Sequence, residues 1–224
     1  MSPYAGDHGE VVTLVPRDAL VVVDVQNDFM PGGALAVFEG DLIVPGVNAL
    51  MGRFARKGLC VVLTQDWHPP QHRSFASAHP GRKPYDAHDE PGIGPVLWPD
   101  HCVQGSHGAR FHPDLEVDRA HVVIRKGWRE DVDSYSGFLE NDRTTRTGLA
   151  GYLKDRGVRR ILVCGLALDY CVFFTACDGV DMGFEVVVCD DLCRSVGSPR
   201  GRHEEIQRAL DEKGVRRVTS GLVV

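Results

Sequence analysis

Six short apolar runs, rich in β-branched residues, recur along this chain and alternate with stretches that have helical spacing. A continuous apolar run such as Ala19 to Val23 is typical of a strand buried on both faces, and apolar residues three and four apart, as over 47–54, are typical of a helix with one buried face. The predicted strands cover 19–23, 59–63, 121–124, 161–164, 184–189 and 217–221, and the predicted helices cover 45–57, 147–156, 170–181 and 204–213.

This alternation of strands and helices predicts an α/β fold. Strands that alternate with helices form an open, mostly parallel sheet with right-handed crossovers and helices on both faces. A chain of 224 residues with 43% hydrophobic content can bury one large core, although its length would also allow two small domains. We expect a single domain over residues 18–224, preceded by an N-terminal extension over residues 1–17.

Chemically reactive side chains follow four of the predicted strands. The carboxyl ends of parallel strands share one edge of a sheet, where such folds place their ligands. The side chains delivered there are Asp24, Asp66 with His68, Lys126, and Cys171. Each has an ordinary alternative, since an aspartate often forms a turn and a lysine is often solvated. Their convergence at one edge favours a functional site.

Cys171 stands where a strand passes into a helix. The strand ends at Cys164, Gly165 permits a turn, and Asp169 suits the N-cap position, so the helix begins near Tyr170. The N–H groups and partial positive charge of a helix start favour a thiolate and can hold an oxyanion. The pattern indicates a nucleophile, and a buried structural cysteine is the alternative.

Residues 66–114 show no periodic pattern, yet they hold seven of the ten histidines and eight of the thirteen prolines. An irregular segment of this length is usually functional or disordered. Trp67, Phe75, Trp98 and Phe111 favour an ordered loop, because aromatic side chains supply surface for packing. We therefore predict an active-site loop.

The composition excludes several classes of protein. A net charge of -6 gives no general attraction to nucleic acid or to anionic membranes, and no signal peptide or membrane-spanning run is apparent. Seven cysteines are an odd number, which disfavours a disulfide framework, so a cytoplasmic location is expected. Phosphate-binding glycine motifs and a G-x-S-x-G elbow are absent, and Cys189 and Cys193 lack the second pair that a zinc knuckle needs.

Six motifs together resemble a known family. They are D-V-Q-N-D-F at 24–29, Q-D-W-H-P at 65–69, W-P-D-H-C-V at 98–103, K-G at 126–127, D-S-Y-S at 133–136 and G-L-A-x-D-Y-C-V at 165–172. Over roughly residues 18 to 197 the chain resembles the nicotinamidases of the isochorismatase-like cysteine hydrolase superfamily. The resemblance implies an isochorismatase-like fold and the hydrolysis of nicotinamide to nicotinate and ammonia, a step of NAD salvage.

The resemblance also implies a set of site residues. The catalytic residues would be Asp24, Lys126 and Cys171, and the N–H groups of Ala167 and Cys171 would form the oxyanion hole. The ligands of one divalent metal would be Asp66, His68 and His101. Zinc is the first expectation for that metal, with iron or manganese as alternatives, and one carboxylate with two imidazoles suits such ions.

Further implications concern the substrate. Phe29, Leu35, Trp98 and Tyr135 match positions that enclose the ring in the family, although simple core packing would also explain them. Small molecules, namely nicotinamide and pyrazinamide-like analogues, are the expected partners, without nucleic acid or membrane and with a homo-oligomer left open. The family usually has a cis peptide before the residue matching Ala167. Leu168 departs from the family, which commonly has threonine there.

Three questions stay open at this point. A related amidase could use the same triad on a carbamoyl or ureido substrate, but such relatives lack the metal-ligand set. A non-catalytic α/β module could use the metal for structure alone. His72 and Ser74 lie close enough in sequence to reach the metal, directly or through a water.

Overall fold

The computed structural model describes residues 11–197 and 202–224. Within these residues it contains six strands and four α-helices, all of them predicted, with bounds that differ by a few residues. The strands are β1 (Asp18–Val23), β2 (Cys60–Asp66), β3 (Val122–Lys126), β4 (Arg160–Leu166), β5 (Glu185–Arg194) and β6 (Arg216–Val218). The helices are α1 (Val44–Arg56), α2 (Leu149–Asp155), α3 (Phe173–Asp181) and α4 (Arg202–Glu212).

The six strands of the described residues form one open parallel sheet in the order β3-β2-β1-β4-β5-β6. Strand β1 lies in the middle, and all six of its residues are buried, as its continuous apolar run predicts. It pairs with β2 through Val21 and Val62 and with β4 through Val22 and Cys164. Right-handed crossovers place α1 on one face of the sheet and α2, α3 and α4 on the other. The predicted fold class is confirmed.

The strand order reverses between β1 and β4. The chain moves from β1 outwards to β2 and β3, then returns past β1 to begin β4 and moves outwards in the other direction. At such a reversal the loops at the carboxyl ends of the two strands diverge and leave a crevice. Asp24 follows β1 and Cys171 follows β4, so the two residues flank this crevice. Asp66 and Lys126 are the last residues of β2 and β3 and lie opposite each other in register.

Strand β5 is five residues longer at its carboxyl end than the apolar run predicts. Asp190 and Asp191 interrupt that run, and in the structure both carboxylates find partners. Asp190 lies 3.5 Å from Nε of Arg217, and Asp191 accepts hydrogen bonds of 2.7 Å and 2.6 Å from the N–H and hydroxyl of Ser220. A shift in register after Val163 accommodates the longer strand.

The loop between β2 and β3 is ordered by short bridges rather than by long elements. Residues His68 and Val103 form one parallel bridge, and Phe75 and Trp98 form another. Phe75 is 0% exposed and Trp98 is 3% exposed, so the aromatic side chains pack as the sequence predicts. A single turn of 3-10 helix covers Ala76–Ala78.

The expected N-terminal extension lies partly outside the described residues, which begin at residue 11. Val12 and Leu14 are buried and pair with the last residues of the sequence. Val12 forms a parallel bridge with Val223, and the N–H of Leu14 donates to the carbonyl of Val224 at 2.7 Å. This segment therefore packs on the domain. Among the described residues, no helix combines the length and the apolar character needed to cross a bilayer.

Gly165→Ala should destabilise the fold strongly. Gly165 has a φ of +118°, and an added Cβ would lie 2.1 Å from the carbonyl oxygen of Val23. The carbonyl of Val23 belongs to the backbone of the central strand, so it cannot move aside to make room for the Cβ. We expect the free energy of unfolding, measured by denaturant titration, to fall by about 3 kcal/mol or more.

A matched control is Gly151→Ala on α2, where an added Cβ meets nothing within 4 Å. That change should alter the free energy of unfolding by less than about 1 kcal/mol, because alanine favours a helix. Equal stability of the two variants would contradict the packing described for β1 and β4.

Candidate active site

Asp24 follows directly after β1, where the backbone turns out of the sheet with a φ of 47°. Its side chain is 0% exposed. One carboxylate oxygen accepts a hydrogen bond of 2.6 Å from the hydroxyl of Thr64, and the other lies 2.8 Å from Nζ of Lys126. Burial raises the pKa of Asp24, and the charge of Lys126 opposes that rise. A carboxylate with a raised pKa is suited to accept and return a proton.

Lys126 ends the edge strand β3 and is nevertheless fully buried. Its ammonium group contacts the carboxylates of Asp24 and Asp66, donates to the carbonyl of Ser134 at 2.9 Å, and lies 3.5 Å from Sγ of Cys171. Burial alone would lower the pKa of Lys126, but the two carboxylates hold it well above its ordinary value. Lys126 is therefore a permanent cation at this site.

Cys171 lies in a π-helical turn, Leu168–Val172, that leads from β4 into α3. The structure brings its thiol together with Asp24 and Lys126, as the sequence predicts. The sequence leads us to expect that the helix start favours a thiolate, and burial acts against that effect in the resting protein. Burial raises the pKa of Cys171 well above its ordinary value, and Lys126 offsets only part of that rise. The thiol therefore needs a base to become a nucleophile.

Asp169 does not cap this helix. Its carboxylate accepts hydrogen bonds of 2.9 Å from the N–H groups of Val196 and Gly197, which follow β5. The N-cap position is held by Ala167, whose side chain has no polar atom. Asp169 thus ties the nucleophile turn to the segment after β5, a role that local sequence does not reveal. The peptide bond between Leu166 and Ala167 is cis, as the resemblance implied.

Asp66, His68 and His101 form a second cluster beside the thiol. Nε2 of His68 lies 3.7 Å from Oδ2 of Asp66, and Nε2 of His101 lies 3.9 Å from the same oxygen. The Nδ1 atoms donate to backbone carbonyls, that of Gly127 at 2.9 Å and that of Pro99 at 2.8 Å. When an imidazole is neutral, such a bond leaves its lone pair on Nε2, which faces the carboxylate. Burial opposes protonation of His68, but the carboxylate of Asp66 outweighs it and raises the pKa of that imidazole.

The second cluster fits a divalent cation. One carboxylate oxygen and two imidazole nitrogens lie within 4.8 Å of one another, and all three side chains are buried. Burial and the neighbouring His68 lower the pKa of His101, which keeps its nitrogen free to donate a lone pair. The other oxygen of Asp66 is held by Lys126, so this carboxylate belongs to both clusters. This donor set is ordinary for zinc and similar ions.

His72 and Ser74 are not placed as direct ligands. Nδ1 of His72 accepts from the hydroxyl of Ser74 at 2.7 Å, and its Nε2 donates to the carbonyl of Val132 at 3.1 Å. Burial lowers the pKa of His72 to about 4, so its ring is neutral. The ring packs 4.3 Å from that of His68, measured between centroids, and supports that side chain.

Both clusters open into one narrow cavity that encloses about 330 Å³ of unfilled space, part of it open to solvent. All four predicted wall residues line it, and so do the two residues predicted for the oxyanion hole. The lining residues are Phe29, Leu35, Asp66, Trp98, His101, Asp133, Tyr135, Ala167, Tyr170, Cys171 and Val196. Aromatic walls with a few polar groups among them suit a small flat ring that carries a polar substituent.

Several residues of the cavity and of the two clusters' surroundings are not predicted as site residues from the sequence. Tyr170 packs edge-on against Trp98 with ring centroids 4.8 Å apart, and Val196 comes from the segment after β5. Thr64 could have been found, because it lies two residues before Asp66 and strand alternation puts both on one face. Asp133 stands within a recognised motif, but nothing in that motif indicates that its side chain faces the cavity.

Gln26 is a further missed residue, and it fixes the position of Asp66. Its side-chain amide donates to the carbonyl of Asp66 at 2.8 Å and to that of Ala109 at 3.0 Å. Its side-chain oxygen accepts from the N–H of Asp66, also at 2.8 Å. The side-chain amide thus pairs with both the N–H and the carbonyl of Asp66, as the backbone of a neighbouring strand would. These bonds explain why a glutamine is buried just after β1.

Comparison with known proteins agrees with this geometry. The isochorismatase domain model matches residues 18–219. The chain is 45% identical to the nicotinamidase of Acinetobacter baylyi over 205 residues, an alignment that covers 90% of this chain and 92% of that protein. The structure of a nicotinamidase and pyrazinamidase from Acinetobacter baumanii superposes with a TM-score of 0.88 at 48% identity, over 92% of this chain and 98% of that one.

Pyrazinamidase from Pyrococcus horikoshii in complex with zinc superposes with a TM-score of 0.75 at 39% identity, over 91% of this chain and 99% of that one. These matches extend along nearly the whole length of this chain and of each relative. The family model alone spans every strand that carries a residue of the two clusters. The chain therefore belongs to the isochorismatase family, together with these nicotinamidases.

Proposed function

We propose that this protein is an amidohydrolase that converts nicotinamide to nicotinate and ammonia through a thioester on Cys171. The observation that carries the proposal is the meeting of two clusters at one aromatic cavity. One cluster joins a thiol, a carboxylate and a permanent cation, and the other offers the donor set of a metal. Relatives named as nicotinamidases support the choice of substrate.

Asp24 is the proposed general base. Its buried carboxylate accepts the thiol proton of Cys171 as the sulfur attacks the amide carbon of the substrate and the carbonyl π electrons move to oxygen. The raised pKa of Asp24 brings its proton affinity nearer to that of a thiol, and the hydroxyl of Thr64 fixes its orientation. Lys126, 3.5 Å from the sulfur, stabilises the thiolate character that develops.

The N–H groups of Ala167 and Cys171 are the proposed oxyanion donors. Both residues line the cavity, in the turn that carries the nucleophile. When the oxyanion collapses, the C–N bond breaks and Asp24 returns its proton to the departing nitrogen, which leaves as ammonia. A water then attacks the thioester while Asp24 takes one of its protons. The C–S bond breaks, and the proton on Asp24 restores the thiol. The nicotinic acid formed gives its carboxyl proton to ammonia or water and leaves as nicotinate.

Asp66, His68 and His101 would hold the metal, for which we propose zinc. A divalent cation at these donors would supply a Lewis acid for the pyridine nitrogen of the substrate. Phe29, Trp98 and Tyr135 would enclose the ring faces and exclude water. The aromatic walls would orient the ring so that its carboxamide meets Cys171, which also lines the cavity.

The rival activity, hydrolysis of a carbamoyl or ureido substrate, has no feature here in its favour. Such a substrate has no ring nitrogen for a metal and no need of aromatic walls. The direct test of the proposal is ammonia release from nicotinamide with nicotinate identified as the other product. Turnover of a ureido compound but not of nicotinamide would overturn it.

Cys171→Ala should abolish ammonia release while the protein stays folded and keeps its metal content. The thiol forms the covalent intermediate, and its replacement by a methyl group removes little packing. Cys60→Ala is the matched control, because Cys60 begins β2 and lies outside the cavity. Near-normal turnover by Cys171→Ala would show that another group is the nucleophile.

Asp24→Asn should reduce the single-turnover rate by about 10² to 10⁴, with little change in nicotinamide affinity. An amide neither accepts the thiol proton nor returns it to ammonia, whereas ring binding depends on the metal and the aromatic walls. Alkylation of Cys171 should persist, because the exchange also removes the negative charge of Asp24, which helps to raise the pKa of the thiol, and leaves Lys126 beside the sulfur. If affinity fell while the rate survived within a few-fold, the acid–base role would be wrong.

Chelation should remove activity on nicotinamide, and added zinc, manganese or iron should restore it. His101→Ala should lower metal content and activity together, because the loss of one of three protein ligands weakens a metal site greatly. Metal analysis of the same samples checks both expectations. His112→Ala, an exchange outside the cavity, serves as the control for loss of a loop imidazole. Full turnover by a verified metal-free sample would exclude the metal from the reaction.

A further inference from the structure

Asp133 is a buried carboxylate to which the mechanism above gives no role. The residue is 2% exposed and lines the cavity. Its Oδ1 accepts a hydrogen bond of 2.8 Å from the N–H of Ser134. Its Oδ2 is enclosed, and no donor among residues 11–197 and 202–224 reaches it. Buried carboxylate oxygens without a donor are costly and uncommon, so such an atom calls for a partner from outside the chain.

The neighbours of Asp133 exclude an internal partner. A carboxylate oxygen of Asp133 and ring nitrogens of His68 and His72 lie within 4.8 Å of one another. Both nitrogens of His72 already have partners, and Nδ1 of His68 donates to Gly127. Nε2 of His68 faces Asp66.

Lys126, whose ammonium group contacts Ser134, the residue after Asp133, does not supply the missing donor either. Its ammonium is directed at Asp24, Asp66, the carbonyl of Ser134 and the thiol of Cys171. Asp133 therefore holds an unused, enclosed acceptor in a residue that lines the cavity, and its carboxylate lies beside the ring nitrogens of His68 and His72.

We propose that Oδ2 of Asp133 accepts a hydrogen bond from a water that completes the ligand set of a divalent cation held by Asp66, His68 and His101. The inference rests on the metal site of the proposed function. Three protein ligands leave positions for water, and a water on a divalent cation is a strengthened donor. Carboxylates in this outer position typically strengthen metal binding by about 10 to 100-fold. Asp133 is thus a positioning residue for the metal.

The test compares zinc affinity in the full chain, wild type and Asp133→Asn, after metal removal and titration against a competing chromophoric chelator. Asp133→Asn should bind zinc about 10 to 100-fold more weakly. Asp133→Ala, which removes the acceptor altogether, should bind at least as weakly. An affinity within two-fold of wild type for both variants would overturn the proposal, whatever their effect on nicotinamide.

Glu140→Gln is the matched control. Glu140 is also buried, at 1% exposure, and one of its oxygens likewise has no hydrogen-bond donor among the described residues. It differs in lying 3.6 Å from Arg129 and outside the cavity. Its zinc affinity should match that of wild type. An equal loss of affinity in Glu140→Gln would mean that any buried charge in this loop matters, which would overturn the specific role of Asp133.

Thermal melting separates this role from a merely structural one. Without metal, Asp133→Asn should melt at or above the temperature of wild type, because a buried charge that lacks a donor has been removed. The rise in melting temperature on adding zinc should be smaller in the variant. A lower melting temperature without metal, together with an unchanged rise on adding zinc, would make Asp133 a structural residue and overturn the proposal.

Cobalt in place of zinc reports whether Asp133 is a direct ligand. The visible spectrum of the cobalt-loaded variant should keep the shape and intensity of the wild-type spectrum once the site is saturated. A changed spectrum would place Asp133 on the metal itself and overturn the outer position. Failure of wild-type protein to bind either ion would overturn the metal site of the proposed function as well, so the two failures are distinguishable.

Discussion

A fully buried ammonium group, that of Lys126, holds the site together. Burial of a cation is costly unless opposite charges surround it, and loss of one buried partner typically costs about 3 to 5 kcal/mol. Asp24 and Asp66 supply the two negative charges. Asp66 ends β2, which is next to β3, and Asp24 follows β1, which is the next strand after β2 in the sheet. The strand order β3-β2-β1 therefore places Lys126, Asp66 and Asp24 side by side at one edge of the sheet. The thiol of Cys171 joins this group from β4, on the other side of β1.

Much of this arrangement was predictable, because it follows from short-range patterns and one rule of topology. Continuous β-branched runs such as that of β1 define strands, and parallel strands bring their carboxyl ends to one edge. Asp24, Asp66, Lys126 and Cys171 could be assigned to that edge without coordinates. The two clusters needed the resemblance as well, since spacing alone does not say which histidine of the loop turns inwards.

The features that the sequence did not predict depend on contacts between distant residues. Asp169 suits an N-cap locally, yet the N–H groups it accepts from lie 27 and 28 positions further along the chain. The raised pKa of Cys171 depends on how completely other segments cover it. Asp190 interrupts an apolar run, which predicts the end of β5 at that point, but Arg217 supplies its countercharge and the strand continues. Local sequence patterns contain no information about any of these distant partners.

Asp66 carries a consequence for how such proteins diverge. One of its oxygens faces the histidines and the other is bound to Lys126, so a single carboxylate serves the metal-type cluster and the nucleophile. A lineage that abandoned the metal by replacing Asp66 would at the same time strip Lys126 of half its countercharge and alter the field around the thiol. In the proposed mechanism, metal binding and nucleophile chemistry thus depend on one carboxylate and would be inherited together. A relative that loses one of them must rebuild the surroundings of its lysine before the other can work.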